Sequence, residues 1–482
     1  MRKSHTLLTR SLPRLLLVAL ILTIAGCVTV GPNYEAPQPE MPAQFDQSPP
    51  LDDASESAVV DTDPWRQFKS EELDRLIERA LDANTSIGQA LARFEETLAL
   101  SGLSIYSLFP TFGVLADAER SGVSSDDPFA PPDQQSLGVL ETWRAGFDMN
   151  WEIDLFGSLK SQSNAIGQRA EADAAAYADI QITIVAETAQ AWFALLGARQ
   201  QVALQQQQLS NLEESEQLLR TLLDNGRGTE LDVARAETET ESLRAQLALA
   251  QAEVVRQEQR LAVLTAWPVD TLRQALNPNG TLPSMPAFAT AGDPANWLRR
   301  RPDIRSAERR LAAATSDIGV EMAEFFPKLE LLGSFGWTAQ NASGLGSSAA
   351  ERWGFGPSIS WRILDFGRIR QRVRAADAVA AQALAAYDET VLTALEETET
   401  ALANFRAQSE SEAALNSASA AASHALSLAE LRFEAGVDNF LTVLDAQRTA
   451  LDLEREVVRA RTDQATALAR LYKALAGGFG SS

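Results

Sequence analysis

Cys27 is the only cysteine among 482 residues, so the chain can form no internal disulfide. What precedes it indicates what the thiol is for. Arg2, Lys3, Arg10 and Arg14 form a basic segment without acids, Leu15 to Ile24 are apolar, and Ala25 and Gly26 are small. That order is how an exported chain begins, and the apolar run is too short to span a bilayer as a permanent helix. Other reactive groups are scarce. The two histidines are His5, ahead of Cys27, and His424, in a stretch of alanine and serine; the sequence has no His/Cys cluster, Gly-x-Ser-x-Gly turn or phosphate-binding loop. Gly344-Leu-Gly346-Ser-Ser-Ala349 loosely resembles a dinucleotide loop, but it lies between two strand patterns with no helix opening after it. No enzyme activity, metal or organic cofactor is expected. The formal charge is -23, and loss of the four basic residues ahead of Cys27 takes the mature chain to about -27, which weighs against nucleic acid as a partner.

The thiol after Ile24-Ala25-Gly26 resembles a lipobox. That resemblance implies cleavage before Cys27, acylation of its thiol and new amino group and, because Val28 follows in place of aspartate, delivery to the outer membrane. The alternative is an ordinary signal peptide with an incidental cysteine. Two or three acyl chains would anchor the mature end stably. Residues 1–26 therefore read as a lipoprotein signal peptide. Residues 27–64, with Pro32, Pro37, Pro39, Pro42, Pro49, Pro50 and Pro64, read as a lipid-anchored tether, too proline-rich for a packed core.

From Trp65 the chain repeats itself. Trp143, Trp151, Phe156-Gly157 and Gly226 recur as Trp353, Trp361, Phe366-Gly367 and Gly436, about 210 residues on, and Phe109-Pro110 recurs as Phe326-Pro327. Each unit reads helix, strand, loop, strand, very long helix, turn, long helix. The strands show as alternation: Trp143, Ala145, Phe147, Met149, Trp151 and Ile153 are apolar, and Arg144, Gly146, Asp148, Asn150, Glu152 and Asp154 lie between them. Leu329 to Thr338 and Trp353 to Ile363 repeat the pattern, and Thr111 to Arg120 shows it more weakly. A membrane β-barrel strand needs such a pattern, although a soluble sandwich strand has the same period.

The helices favour the membrane reading. No proline occurs between Asp133 and Trp267, nor after Ser358, so long helices can run unbroken. Ser158 to Leu223 as one helix would measure roughly 100 Å. Leu384, Tyr387, Val391, Leu395, Leu402 and Phe405 follow the three-and-four spacing of a helix-packing seam. Four amphipathic strands cannot close a barrel, since about eight are needed and an open edge in lipid leaves backbone groups unpaired. The chain must therefore pair with copies of itself. With Arg144, Asp148, Glu152, Asp154 and Arg362 on its inner face, the closed barrel would be wet inside.

Cys27-Val-Thr-Val-Gly-Pro-Asn-Tyr-Glu-Ala-Pro37, Arg300-Arg301-Pro302-Asp303-Ile304 with Ala307-Glu308, Phe326-Pro327, Leu364-Asp365-Phe366-Gly367, Leu441-Thr-Val-Leu-Asp445-Ala446 and Leu471-Tyr-Lys-Ala-Leu475 follow one another in an order that resembles the outer-membrane efflux protein family, TolC-like, in its lipoprotein branch serving resistance-nodulation-division pumps. The resemblance implies a mainly α protein with a membrane β-barrel: long antiparallel helices form an α-helical barrel in the periplasm, and four strands per chain contribute to the twelve-stranded barrel of a homotrimer. It also implies a periplasmic adaptor and an inner-membrane pump as partners, a passive gated duct for small molecules as function, and covalent lipid on Cys27 as the sole attached group. The resemblance places Leu441, with its repeat equivalent Leu231, in an apolar gate, Asp445 in an acidic ring, and Arg432 and Phe433 among the tethers that hold the gate shut. The turns carrying Gly226, Arg227 and Gly228, and Gly436, Val437 and Asp438, become the surfaces that touch the adaptor. Thr442 stands where the family often has a second aspartate. Leu364-Asp365 also reverses the Asp154-Leu155 of the first unit.

The expected organisation is thus 65–266 for the first repeat, 267–296 for an equatorial insert broken by prolines, 297–475 for the second repeat and 476–482 for a tail. The five scattered methionines weigh against a dedicated soft-metal exporter. The rival reading is a pore-less coiled-coil lipoprotein serving as periplasmic spacer or adaptor, which explains the helices and the lipobox but not the apolar strand faces.

Overall fold

The structure is a computed structural model and describes residues 29–39, 41–47, 64–122, 139–286, 294, 299–438 and 440–475. Cys27 and the 476–482 tail lie outside the described residues. After a short 3-10 helix, Pro64–Phe68, come α1 (Glu71–Ala83), α2 (Thr85–Tyr106), β1 (Thr111–Gly122), β2 (Val139–Ile153), α3 (Ser158–Asp224), α4 (Glu230–Thr265), α5 (Val269–Ala275), α6 (Pro302–Ala323), β3 (Lys328–Ala339), β4 (Glu351–Ser360), α7 (Phe366–Glu434) and α8 (Phe440–Ala474). The α3 and α7 helices contain 67 and 69 residues and no proline, so nothing interrupts their backbone ladder. Helix starts follow capping chemistry. The Ser70 hydroxyl accepts from Leu73 N ahead of α1, whose first turn carries Glu71, Glu72 and Asp74.

Two compact units divide the chain, and each draws on both repeats: Met1–Pro37, Glu95–Ala172 and Ala307–Tyr387 form one, and Gln38–Phe94, Asp173–Ser306 and Asp388–Ser482 the other.

The first unit holds an antiparallel sheet in the order β1-β2-β3-β4. Its register carries the alternation across all four strands. Phe112 lies beside Met149, then Gly333, then Phe355; Val114 lies beside Phe147, Phe335 and Trp353. Partners in an antiparallel ladder share a face, so one side is continuously apolar. That side is bare: Val114 is 77% exposed and Trp353 75%. The opposite side is polar. Arg144 lies 3.6 Å from Asp117 and 3.5 Å from Glu119, and Glu152 stands beside Glu330 and then Ser358. The weak alternation of Thr111 to Arg120 is a genuine strand. The fourth strand stops at Ser360, short of Ile363, because Asp365 N closes a turn onto the Arg362 carbonyl at 3.1 Å.

The N-terminal segment, read as a tether, is tied down at residues 30–34. Val30 N donates to the Phe156 carbonyl at 3.1 Å, and the Tyr34 hydroxyl donates to Glu308 at 2.9 Å beneath the Arg309 guanidinium. A Cβ on Gly31 would lie 2.6 Å from Gly319 Cα, so two glycines allow this strap to cross α6 in backbone contact.

The second unit holds the main core. Trp65, Phe68, Leu73 and Leu76 pack with Phe193, Leu195, Leu196, Leu261, Leu264, Leu468 and Leu471. Phe45, from the proline-rich stretch, joins them at 1% exposure, seated in a core that the helices build. One large side chain seated in a pre-formed apolar socket needs no regular structure around it. Of the expected α7 seam, Tyr387, Val391 and Leu402 are buried and Leu395 and Phe405 pack against the core, whereas Leu384 is exposed. Buried Arg301 donates to Asp303 and Glu397, each at 2.7 Å, and to the Ala474 carbonyl at 2.9 Å, so the Arg-Arg-Pro-Asp motif ties the start of α6 to the last turn of α8.

Candidate functional site

Each long helix reverses at a glycine-bearing turn. In the first, Gly226 has φ +70°, Gly226 N donates to the Leu223 carbonyl at 2.9 Å, and Arg227 N and Gly228 N reach the Leu222 carbonyl at 2.8 and 3.0 Å. In the second, Gly436 has φ +71°, Gly436 N donates to Phe433 at 2.8 Å, and Val437 N and Asp438 N reach Arg432 at 2.9 and 3.4 Å. This is a Schellman-like helix end, in which a left-handed residue lets the following amides satisfy the last carbonyls.

Side chains distinguish the two tips. At Gly228 a Cβ would approach Leu223 N to 2.8 Å, so that turn is closed by the absence of a side chain. The Thr229 hydroxyl then accepts from Asp232 N and caps α4. In the second tip Asp438 occupies the matching place. Arg432 grips both its oxygens, at 2.6 and 3.2 Å, and the Phe433 and Phe440 rings meet edge to face at 5.4 Å. The hydrogen bond and charge of Arg432 hold the Asp438 carboxyl below its usual range.

Leu231 and Leu441 are the second residues of α4 and α8, and both are exposed. Asp445, one turn beyond Leu441, is also exposed, whereas Val443 and Leu444 are buried, so the Leu441/Asp445 edge of α8 faces away from its own chain. The repeat equivalent of Asp445 is Arg235. Gly226, Arg227, Gly228, Gly436, Val437 and Asp438 lie in the turns themselves and Asn439 lies outside the described residues. The structure thus joins Arg432, expected as a gate tether, to Asp438, expected on the docking surface. His424 is exposed on α7.

Sequence reasoning missed a duplicated anchor in the first unit. The Trp151 indole N–H donates to the Leu108 carbonyl and that of Trp361 to the Phe325 carbonyl, both at 3.0 Å. Each acceptor directly precedes a Phe-Pro pair. The recurrence of both motifs was visible in the sequence, but that one Trp serves one Phe-Pro was not.

Apolar strand faces, a polar reverse and long helices with paired tips define the class of a membrane channel. The model of the outer membrane efflux protein family matches residues 76–266 and 294–477. The chain is 33% identical to outer membrane protein OprJ of Pseudomonas aeruginosa over 469 residues, 96% of this chain and 95% of that protein. It is 29% identical to the solvent efflux pump outer membrane protein SrpC of Pseudomonas putida, over 96% of this chain and 97% of that one. The solved outer-membrane channel OprN, 35% identical, superposes with a TM-score of 0.84 over 93% of this chain and 99% of its own. The chain belongs to the outer membrane efflux protein family. It is an outer-membrane efflux channel of the TolC-like fold, with helical and β-barrel portions, and the rival spacer is set aside.

Proposed function

We propose that three copies of this chain close their sheets into a twelve-stranded barrel and form the passive, gated duct of a tripartite efflux system, anchored by lipid on Cys27. The observation that carries this reading is the sheet itself: β1 and β4 have no strand partner on their outer edges among the described residues, while the apolar face is exposed. In lipid such edges must be paired, and pairing β1 of one copy with β4 of the next achieves it. The repeat supports the same arrangement. Helix α6 buries Leu311 and Ile318 and ties to α3 through Arg309 with Glu171 and Arg169 with Asp317. Its repeat counterpart α2 leaves Leu98, Leu103, Ile105 and Tyr106 exposed, as expected if it finds its partner on a neighbouring copy.

In this reading Leu231 and Leu441 narrow the tunnel, Asp445 from each copy forms an acidic ring, Arg432 and Phe433 hold the second tip closed, and the two turns receive a periplasmic adaptor coupled to a resistance-nodulation-division pump. The duct performs no catalysis. Names such as that of SrpC support small toxic organic molecules as cargo. Light scattering of the detergent-extracted protein should give the mass of three chains. A monomer in protein shown to be folded would overturn the assembly, and failure of wild-type protein to take up labelled palmitate would overturn the anchor alone.

A further inference from the structure

We propose that the segment from Trp361 to Arg374 is a lipid-docking site that seats the second repeat on the phospholipid leaflet at the base of the sheet and selects anionic headgroups. The inference rests on the outer-membrane placement of the sheet.

Beyond the end of β4, whose face exposes Trp353, Phe355 and Ile359, the chain turns and exposes three more large apolar residues, Trp361, Ile363 and Leu364, the last at 98%. A leucine almost untouched by its own protein, next to a membrane-facing surface, marks a contact with something apolar. The first repeat lacks this feature. Its matching residue is Asp154, whose carboxylate accepts from Lys160 N at 2.8 Å, and its Phe156-Gly157 pair lies under the N-terminal strap, with a Gly157 Cβ only 2.7 Å from Thr29. At the corresponding Gly367 a Cβ would meet nothing within 4 Å. Among the described residues the N-terminal strap covers the first junction, while the glycine of the second is open on its Cβ side.

Charge identifies the occupant. Residues 365–374 carry Arg368, Arg370, Arg372 and Arg374 against Asp365 alone, in a chain of net charge -23. The matching stretch 155–164 carries Lys160 as its one charge. Arg362 lies 3.8 Å from Glu324, and Arg368 lies 3.8 Å from Asp365. Arg370 and Arg374, one helical turn apart, are exposed and have no ion-pair partner among the described residues. Exposed apolar side chains followed within a few helical residues by unpaired guanidinium groups match the two layers of a phospholipid interface, acyl chain and phosphate.

The test uses the full-length protein with Cys27→Ala and Leu364→Cys, labelled with an environment-sensitive fluorophore and reconstituted as the oligomer in phosphatidylcholine vesicles with phosphatidylglycerol. Blue-shifted emission, quenched by nitroxide-bearing lipid and spared by iodide, is expected. Nitroxide-bearing phosphatidylglycerol should quench more than its phosphatidylcholine counterpart, and Arg370→Gln with Arg374→Gln should remove that preference, at roughly fivefold in lipid affinity per arginine. Iodide-quenched, water-like emission would overturn the proposal, as would shielding from both quenchers, which would mean that a neighbouring copy covers the leucine. Equal quenching by the two lipids would overturn the headgroup selection. A label at Phe355→Cys separates the levels: if it too reports water, the membrane placement of the sheet fails, not this site alone.

Discussion

The two helical tips share a backbone and differ in what holds it. Gly226 and Gly436 adopt nearly the same φ, +70° and +71°, and the amides after each return to the same relative carbonyls. Yet the first turn is closed by the missing side chain of Gly228 and the Thr229 cap, and the second by the Arg432–Asp438 pair and two phenylalanine rings. The hydrogen bond that reaches 3.0 Å at Gly228 lengthens to 3.4 Å at Asp438. Duplication preserved the turn, while the means of holding it diverged. The first tip depends on steric fit, which salt and pH leave untouched, and the second on charge, which both can change. One turn further along, Arg235 stands at the repeat position of Asp445 with the sign reversed, so the first repeat has no carboxylate at that place.

The largest effect should come from the shared feature. Gly226→Val and Gly436→Val each force a β-branched residue into the left-handed region, at about 1–2 kcal/mol of strain, and a Cβ meets no neighbour within 4 Å at either position. Their effects on unfolding should therefore match, while drug export by cells carrying Gly436→Val falls with the oligomer still in the membrane. Export at the wild-type level would show that the second tip is not the docking surface.

A smaller effect tests the duplication at the sheet. Trp151→Phe and Trp361→Phe each remove one indole hydrogen bond to a helix-end carbonyl, about 1 kcal/mol apiece. Thermal dissociation of the oligomer should fall by similar amounts in both. A loss confined to one would mean that the recurring Trp and Phe-Pro motifs no longer do the same work.

The smallest effect belongs to the ion pair. The Asp438 carboxyl titrates below its unfolded value, so the Arg432 tie contributes above about pH 4 and is lost as pH falls through the depressed value. Both groups are exposed, so salt weakens the tie as well. Asp438→Asn should reduce the dependence of channel activity on moderate salt near neutral pH, leaving the part that belongs to the Asp445 ring, with stability nearly unchanged. Salt dependence untouched by the substitution would place the whole of the sensitive charge elsewhere, with Asp445 the next position to change.

The elements most legible in the sequence were those with a period. Alternation from Trp143 revealed β2, and the proline-free stretch revealed α3 to within a residue of its end. Alternation overran β4, because Trp361 and Ile363 keep the spacing after the backbone has turned. Leu384 kept the seam spacing yet is exposed, since a helical stripe does not reveal where the partner helix ends. The strap was the least legible. Tyr34 and Phe45 are single large residues among prolines, and their sites on Glu308 and in the core are built from distant sequence. The tip glycines could be read from chain reversal, but the Arg432–Asp438 pair could not, because six residues apart is no helical spacing and only the turn brings them together.

A gated pore closed mainly by the second tip is what the two repeats together describe. Conductance across planar lipid bilayers tests it with wild-type protein, Leu441→Ala with Asp445→Ala, and Leu231→Ala with Arg235→Ala. Wild-type currents should be small or flickering, steps in the 441/445 variant much larger, and the change in the 231/235 variant smaller. Silence from all three, in protein shown to be folded and oligomeric, would contradict it.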